Sequence, residues 1–351
     1  MKPLVSILIP AYNAEKWIGY TLESAVNQTW PRKEIIVVDD GSRDHTAEVA
    51  RGFASKNIRV VSTENRGHSS AANNAFKLCQ GDYIQELDAD DLLSPDKIER
   101  QVVALQEVGD KRILTSSPWA PFFFRANRAQ FVPNSLWQDL SPVEWLLRKM
   151  GENLHMGNST WLVSREIAEA AGSWDESLQY DDDGEYFCRV LLASHGTRFV
   201  PEGRVYYRSR GSNRVSYIGN SDKKKESLLR SMRLHFHYLQ SLENSDRVRE
   251  ACLKYLRSWS IAFYPETPDM FAELQALASQ LGGQLEPPHL TWKVAWMEPF
   301  FGRRAAQRTL MAIQEKKASL IRTWDKAMYE WENRKALSGR STGARSVMQQ
   351  P

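Results

Sequence analysis

The first half of the chain alternates two hydrophobic patterns. Apolar-rich runs of strand length stand at "LVSILI" (4–9), "EIIVV" (34–38), "IRVVS" (58–62) and "DYIQEL" (82–87). Between them, apolar residues recur at helical spacing, as with Trp17, Ile18, Leu22, Ala25 and Val26 inside 14–28, and again over 44–54 and 69–79. Ser94-Pro95-Asp96 predicts a helix start, with Ser94 as the capping residue and proline at the first helical position. Strands alternating with helices predict an α/β fold with a mostly parallel sheet flanked by helices. Such sheets bind ligands beyond the carboxyl ends of their strands, beside a topological switch point. Three polar segments follow predicted strand ends here: "PAYN" (10–13), "DDGS" (39–42) and "DADD" (88–91).

Further along, "SPVEWLLRKM" (141–150) and 182–194 read as helices, "STWLVS" (159–164) as a strand, and "TRFVPEGRVYYRSR" (197–210) as two short strands. Beyond about residue 220 the pattern becomes helical, with a linker at "GGQLEPPHL" (282–290) and one long basic helix expected over 303–337. The Ser/Gly/Arg-rich tail from Ser338 is expected to be disordered. The division expected is therefore a catalytic domain over 1–218, a helical C-terminal appendage over 219–337 and a tail over 338–351.

Composition narrows the class. The 351 residues suit two domains, or one large domain with an appendage, and 42% hydrophobic with 25% charged residues is the balance of a soluble globular protein. A net charge of +3 is too small to argue for a nucleic-acid partner, and none is expected. No apolar run approaches the roughly 18 residues that span a bilayer. "MKPLVSILIPAYN" is short, is interrupted by Pro10 and has no small-residue cleavage site, so it reads as a first strand rather than a signal peptide. Cys79, Cys188 and Cys252 are odd in number and far apart, which fits a reducing cytoplasm and excludes a cysteine-based zinc site on spacing.

Two acidic clusters stand out. In "QELDADDLL" (85–93), Asp88, Asp90 and Asp91 fall where a buried strand ends. Like charges repel, and leaving them unpaired beside a core is costly, so a positive partner is expected there. The second cluster, Asp181–Asp183, precedes a predicted helix in "SWDESLQYDDDGEYFCR". Acids there would also neutralise a helix N-terminus, a role compatible with catalysis.

In order along the chain, "SILIPAYN", "QTWPRKEIIVVDDGSRD", "ENRGHSSAANNAF", "GDYIQELDADD" and "GSWDESLQYDDDGEYFCR" resemble the family 2 glycosyltransferases of the GT-A fold. A lone Asp-x-Asp is common in loops; five matching segments in order are specific. The resemblance covers about residues 3–216 and implies a Rossmann-like GT-A domain.

It also implies roles. Asp88 and Asp90 match the Asp-x-Asp that holds a divalent cation, Mg²⁺ or Mn²⁺, on a nucleotide-sugar diphosphate, with Asp88 nearer the ribose and Asp90 as metal ligand. Pro10, Ala11 and Tyr12 would border the base, and Asp39 would accept the imide N–H of uracil. Arg66 faces phosphate or simply solvent. Asn73 matches the family, while Ala72 replaces its frequent arginine. Asp183 falls on the catalytic base, with Asp181 leaving the register open by one; Asp182 and Glu185 support it. Trp174 lines an acceptor pocket or sits in the core. Where many relatives carry histidine, this chain has Arg208, Arg210 and Arg214, which suit diphosphate. His235 and His237, on a predicted helix, read as structural or surface residues.

The function implied is inverting transfer of a sugar, from a UDP-sugar, to a hydroxyl of a saccharide or lipid-linked acceptor in polysaccharide or cell-envelope synthesis. One alternative is a silent sugar-nucleotide-binding module acting through its helical region, against which Asp182-Asp183 argues. Another is a dinucleotide oxidoreductase, disfavoured because no G-x-G-x-x-G follows the first strand. The basic, Trp-bearing C-terminal helices either pack on the catalytic domain or touch an anionic membrane or partner protein. The location expected is cytoplasmic, including the inner face of the membrane.

Overall fold

The computed structural model describes residues 2–209, 218–219 and 221–340, with side chains to residue 334. The chain divides into two units. The first comprises Met1–Trp119, Val132–Tyr207 and Ile218–Pro288; the second comprises Ala120–Phe131, Arg208–Tyr217 and His289–Pro351.

The first unit is built on a five-stranded sheet. Strands β1 (Val5–Ala11), β2 (Lys33–Asp39), β3 (Ile58–Ser62) and β4 (Tyr83–Glu86) are parallel, in the order β3-β2-β1-β4. Helices α1 (Ile18–Val26), α2 (Thr46–Arg51) and α3 (His68–Leu78) connect them. Both sheet faces are covered. Ile7, Ile9, Ile35 and Val37 enter one core, and Leu8, Ile36, Val38 and Ile84 enter the other. That is why these strands read as apolar runs rather than alternating ones. Order reverses at β1, so the switch point lies between β1 and β4. Ala11 pairs with Asp39, and Leu8 with Glu86, so the ends of all three strands stand side by side.

The short β5 (Leu92–Leu93) leads to α4 (Lys97–Val108). The helix starts later than Ser94-Pro95-Asp96 predicted. Asp96 takes the capping position without a side-chain cap, while Ser94 Oγ accepts from Arg204 N at 3.0 Å. The chain continues through β6 (Ile113–Ser116), β7 (Trp119–Phe122) and α5 (Pro142–Gly151). The strand expected over 159–164 shrinks to β8 (Val163–Ser164), antiparallel to β4, because residues 158–160 form a 3₁₀ turn. Then come α6 (Arg165–Ala171), α7 (Asp182–Leu192), β9 (Gly196–Phe199), parallel to β6, and β10 (Val205–Arg208), antiparallel to β5.

Helices α8 (Asp222–Leu242), α9 (Asp246–Trp259) and α10 (Pro268–Gln280) belong to the first unit, although the sequence assigned them to an appendage. Leu228, Met232, Leu239, Leu256 and Leu274 are fully buried in the same core as Trp145, Trp161 and Phe187.

In the second unit, α11 (Trp292–Ala295) precedes α12 (Glu298–Arg340). Gly302, at φ 75° and ψ 162°, breaks the helix near its start, so the long basic helix expected over 303–337 runs beyond it. It continues through Ser338 to Arg340, the start of the expected disordered tail; residues 341–351 lie outside those described. Arg125 anchors α12, donating to Asp325 at 2.8 Å and Glu332 at 3.0 Å.

Candidate active site

The strand ends are tied into one edge by their own side chains. Asp40 N donates to Ala11 O at 2.8 Å, joining β2 to β1. The buried Asp40 carboxylate accepts from Arg66 N (2.9 Å), Gly67 N (2.8 Å) and Asn65 Nδ2 (3.1 Å), which fixes the loop after β3. Gly41 has φ 66°, and a Cβ there would stand 2.9 Å from Asn65 N, so only glycine fits this close approach. Asp44 holds the far side of the turn, accepting from Thr46 N and Glu15 N.

Within this frame, Pro10 and Ala11 are buried at the end of β1 and Tyr12 is 40% exposed just beyond it. Asp39 is buried and accepts from Ser42 N at 3.2 Å through Oδ1. Asp88 Oδ1 accepts from Asn158 Nδ2 at 2.9 Å, and Asp88 N donates to Ser159 Oγ. Asp90 and Asp91 are buried, and Asp91 accepts from Ser159 at 3.3 Å. Asn158 and Ser159, at the edge of the strand expected over 159–164, thus brace the Asp-x-Asp segment.

A positive group that does stand beside this cluster is His68, at the first position of α3. Its Nδ1 lies 2.9 Å from Asp182 Oδ2 and its Nε2 lies 3.8 Å from Asp88 Oδ1. Burial opposes its charge, but Asp182, Asp88 and Glu86 outweigh burial and raise its pKa to about 10. One imidazolium therefore links the two acidic clusters. The sequence reading gave His68 no role. Its signal was a lone histidine directly after Gly67, opening the helix that follows a strand end.

The second cluster sorts its three aspartates by direction. Asp181, at φ 58°, turns toward α8, accepting from Ser231 Oγ at 2.8 Å with buried His235 at 3.7 Å. Burial pulls His235 down to about 4, so it packs as a neutral ring. Asp182 accepts from His68 and from Ser69 Oγ at 3.1 Å; burial raises its pKa, but His68 more than offsets this and holds it below the usual carboxylate range. Asp183 is pushed up to about 7 by burial and by the like charges of Asp182, Asp181 and Asp88, against the N–H of Gly184 donating at 2.8 Å.

Several other expected residues are placed elsewhere. Glu185 is buried in a two-bond pair with Arg189 and accepts from Tyr238 OH at 2.7 Å, so it ties α7 to α8. Trp174 is only 4% exposed; it stacks on Tyr186 at 4.3 Å and meets His68 edge-on at 5.1 Å, a core residue beneath the imidazole. Asn73 holds that segment through Trp174 N and O. Arg66 pairs with Glu176 at 2.9 Å. Arg208 falls in the second unit, donating to Phe123 O at 3.0 Å and lying over the Phe122 ring. Arg210 and Arg214 lie outside the described residues.

Among the described residues, no group of three or more His, Cys, Asp and Glu side chains is placed to hold a metal ion. Asp88 and Asp90 offer hard oxygen ligands, the donor chemistry of Mg²⁺ or Mn²⁺, which normally complete their shells with phosphate and water.

The family model described as glycosyl transferase family 2 matches residues 6–168. An uncharacterised glycosyltransferase of Haemophilus influenzae is 31% identical over 234 residues, covering 64% of this chain and 90% of that protein. The chain belongs to glycosyltransferase family 2. An uncharacterised glycosyltransferase of Rickettsia typhi is 32% identical over 192 residues, 55% of this chain. This family 2 chain spans 60% of that relative's length. The crystal structure of S. aureus TarS 1-349 in complex with UDP-GlcNAc is similar at a TM-score of 0.64 and 18% identity, covering 80% of this chain and 81% of that one. The family 2 member has the GT-A fold, with its helical C-terminal region present.

Proposed function

We propose that this family 2 member is an inverting glycosyltransferase, moving a sugar from a UDP-sugar to a hydroxyl of a saccharide or lipid-linked acceptor. The observation that carries the reading is the joining of two acidic clusters through one imidazole: Asp88 beyond β4, Asp182 at the start of α7, His68 between them. The donor lies along the strand edge. Tyr12 borders the base, Asp39 accepts the uracil imide N–H, and Asp88 faces the ribose. The UDP-GlcNAc complex of TarS supports a uridine nucleotide. Arg66 reaches a phosphate only by leaving Glu176.

Asp88 and Asp90 would hold Mn²⁺ or Mg²⁺, which when bound supplies positive charge to a diphosphate leaving group. Asp183 takes the proton of the acceptor hydroxyl as the oxygen attacks the anomeric carbon. A base poised near neutrality combines basicity with a substantial unprotonated fraction. Attack from the face opposite the diphosphate inverts the anomeric centre in one displacement and needs no enzyme nucleophile. Asp182, kept ionised by His68, sets the charge beside that base. Asp183→Asn tests this: transfer should fall about 10²- to 10⁴-fold while UDP still stabilises the protein to heat. An active Asp183→Asn enzyme would refute the assignment.

A further inference from the structure

A basic surface with exposed aromatic residues lies on the second unit. Residues 289–351 carry 12 Lys and Arg against 5 Asp and Glu, in a chain whose total charge is only +3. On α12, Ile313, Leu320, Trp324 and Trp331 are exposed, Leu320 at 72%; Ile321 and Met311 are exposed as well, about 80° and 160° from Ile313 around the helix. At about 100° per residue, the first four fall within about 20° of one line along the helix. Lys316, Lys317 and Arg334 are also exposed. They lie about 40–60° to either side of the line. Glu315, Asp325, Glu330 and Glu332 lie about 100° or more away from it. Two of these acids are engaged by Arg125. Ahead of Gly302, Trp292 (81%), Trp296, Phe300 and Phe301 form a second exposed aromatic group.

A solvated helix has no reason to place four large apolar side chains on one exposed line. An apolar line flanked by cations, with carboxylates turned away, suits a helix lying in the headgroup plane of a bilayer. Leucine and isoleucine reach the acyl boundary, indoles favour the interface, and lysine stems carry their charge up to lipid phosphates. A second copy lying parallel along the same line would set Lys316, Lys317 and Arg334 against their own equivalents. Among the described residues no helix is long and apolar enough to cross a membrane, so the contact is with a surface.

We infer that α12, with the aromatic group over 292–301, docks the protein on a bilayer surface bearing anionic lipid. The inference stands apart from the proposed reaction. Its test is co-sedimentation of the full chain with phosphatidylcholine vesicles and with phosphatidylcholine–phosphatidylglycerol vesicles. Binding is expected to the mixed vesicles, weakening with salt. The Ile313→Glu/Leu320→Glu double variant should need about tenfold or more lipid for half-binding, at an unchanged melting temperature. Failure to pellet with the mixed vesicles, or undiminished binding by the double variant, overturns the inference. So does a dimer, seen by sedimentation velocity, that the double variant dissociates while vesicles bind neither protein.

Discussion

Replacing Asp182 by asparagine should move the acid limb of the pH–rate profile to lower pH. Asp183 sits at about 7 rather than the ordinary 3.8 because of burial first and then the charge of Asp182, with Asp181 and Asp88 adding to it. The Asp182→Asn side chain keeps the size and an acceptor for Ser69 but removes that charge. It also lowers the pKa of His68, since Asp182 is the charge that does most to raise it, and any loss of that positive charge acts against the fall at Asp183, so the shift comes from the like charge removed. Loss of an adjacent like charge is worth about 1–2 pKa units, or about 1.4–2.7 kcal/mol. A base with a pKa of about 7 is about one-tenth unprotonated at pH 6, and one at about 6 is half unprotonated. The variant should therefore retain several-fold more of its own maximal activity at about pH 6 than the native enzyme does. The assay is kcat/KM for transfer from a UDP-sugar, followed from about pH 5 to 8, since kcat/KM reports groups of the free enzyme. A limb that stays near 7, or moves upward, would refute the coupling of the two aspartates. A limb that persists in Asp183→Asn would place the titrating base elsewhere.

Two further outcomes follow from packing and charge. His68 is raised from 6.5 to about 10, so its pairing stabilises the fold fully below about 6.5 and is lost as pH rises through about 10. His68→Gln should therefore melt below the native protein at neutral pH, with the gap closing toward pH 10; a constant gap would mean the ring is not charged. A chain ended at Tyr217 should fail to fold by circular dichroism. Each large side chain of α8–α10 lost from the core removes about 1.5–3 kcal/mol, and several together exceed the usual 5–15 kcal/mol of total stability. A cooperatively melting truncation would contradict that account of the core.

What the sequence revealed follows from the range of the interactions involved. The strands β1, β2 and β4 were legible because both sheet faces are covered and their runs are rich in apolar residues, although Ser6 interrupts β1 and Gln85 and Glu86 stand in β4. The Asp39 and Asp88 positions were legible because each directly follows such a run. The brace from Asn158 and Ser159 to the Asp-x-Asp segment was not, since it joins residues about 70 apart through a turn that reads as strand. His68 was missed for the same reason: its partner Asp182 is 114 positions away. Helices α8–α10 carry amphipathic patterns that show one buried face but not which core receives it. Glu185 was read with the acids before it, although the Arg189 that engages it stands four positions on, ordinary helical spacing for an ion pair. Which of Asp181, Asp182 and Asp183 faces His68 depends on the left-handed turn at Asp181, and local pattern carries no sign of it.

Heat stability with nucleotides tests the proposed donor site most directly. Melting temperature would be measured with UDP, CDP and ADP, each with and without Mn²⁺, on the native chain and on Asp90→Ala. The largest rise is expected with UDP plus Mn²⁺, since an Asp39 facing the base would accept the imide proton that the other two bases lack, together with loss of the Mn²⁺-dependent part in Asp90→Ala. Equal shifts for all three nucleotides, or a Mn²⁺ effect that survives Asp90→Ala, would contradict the proposed site.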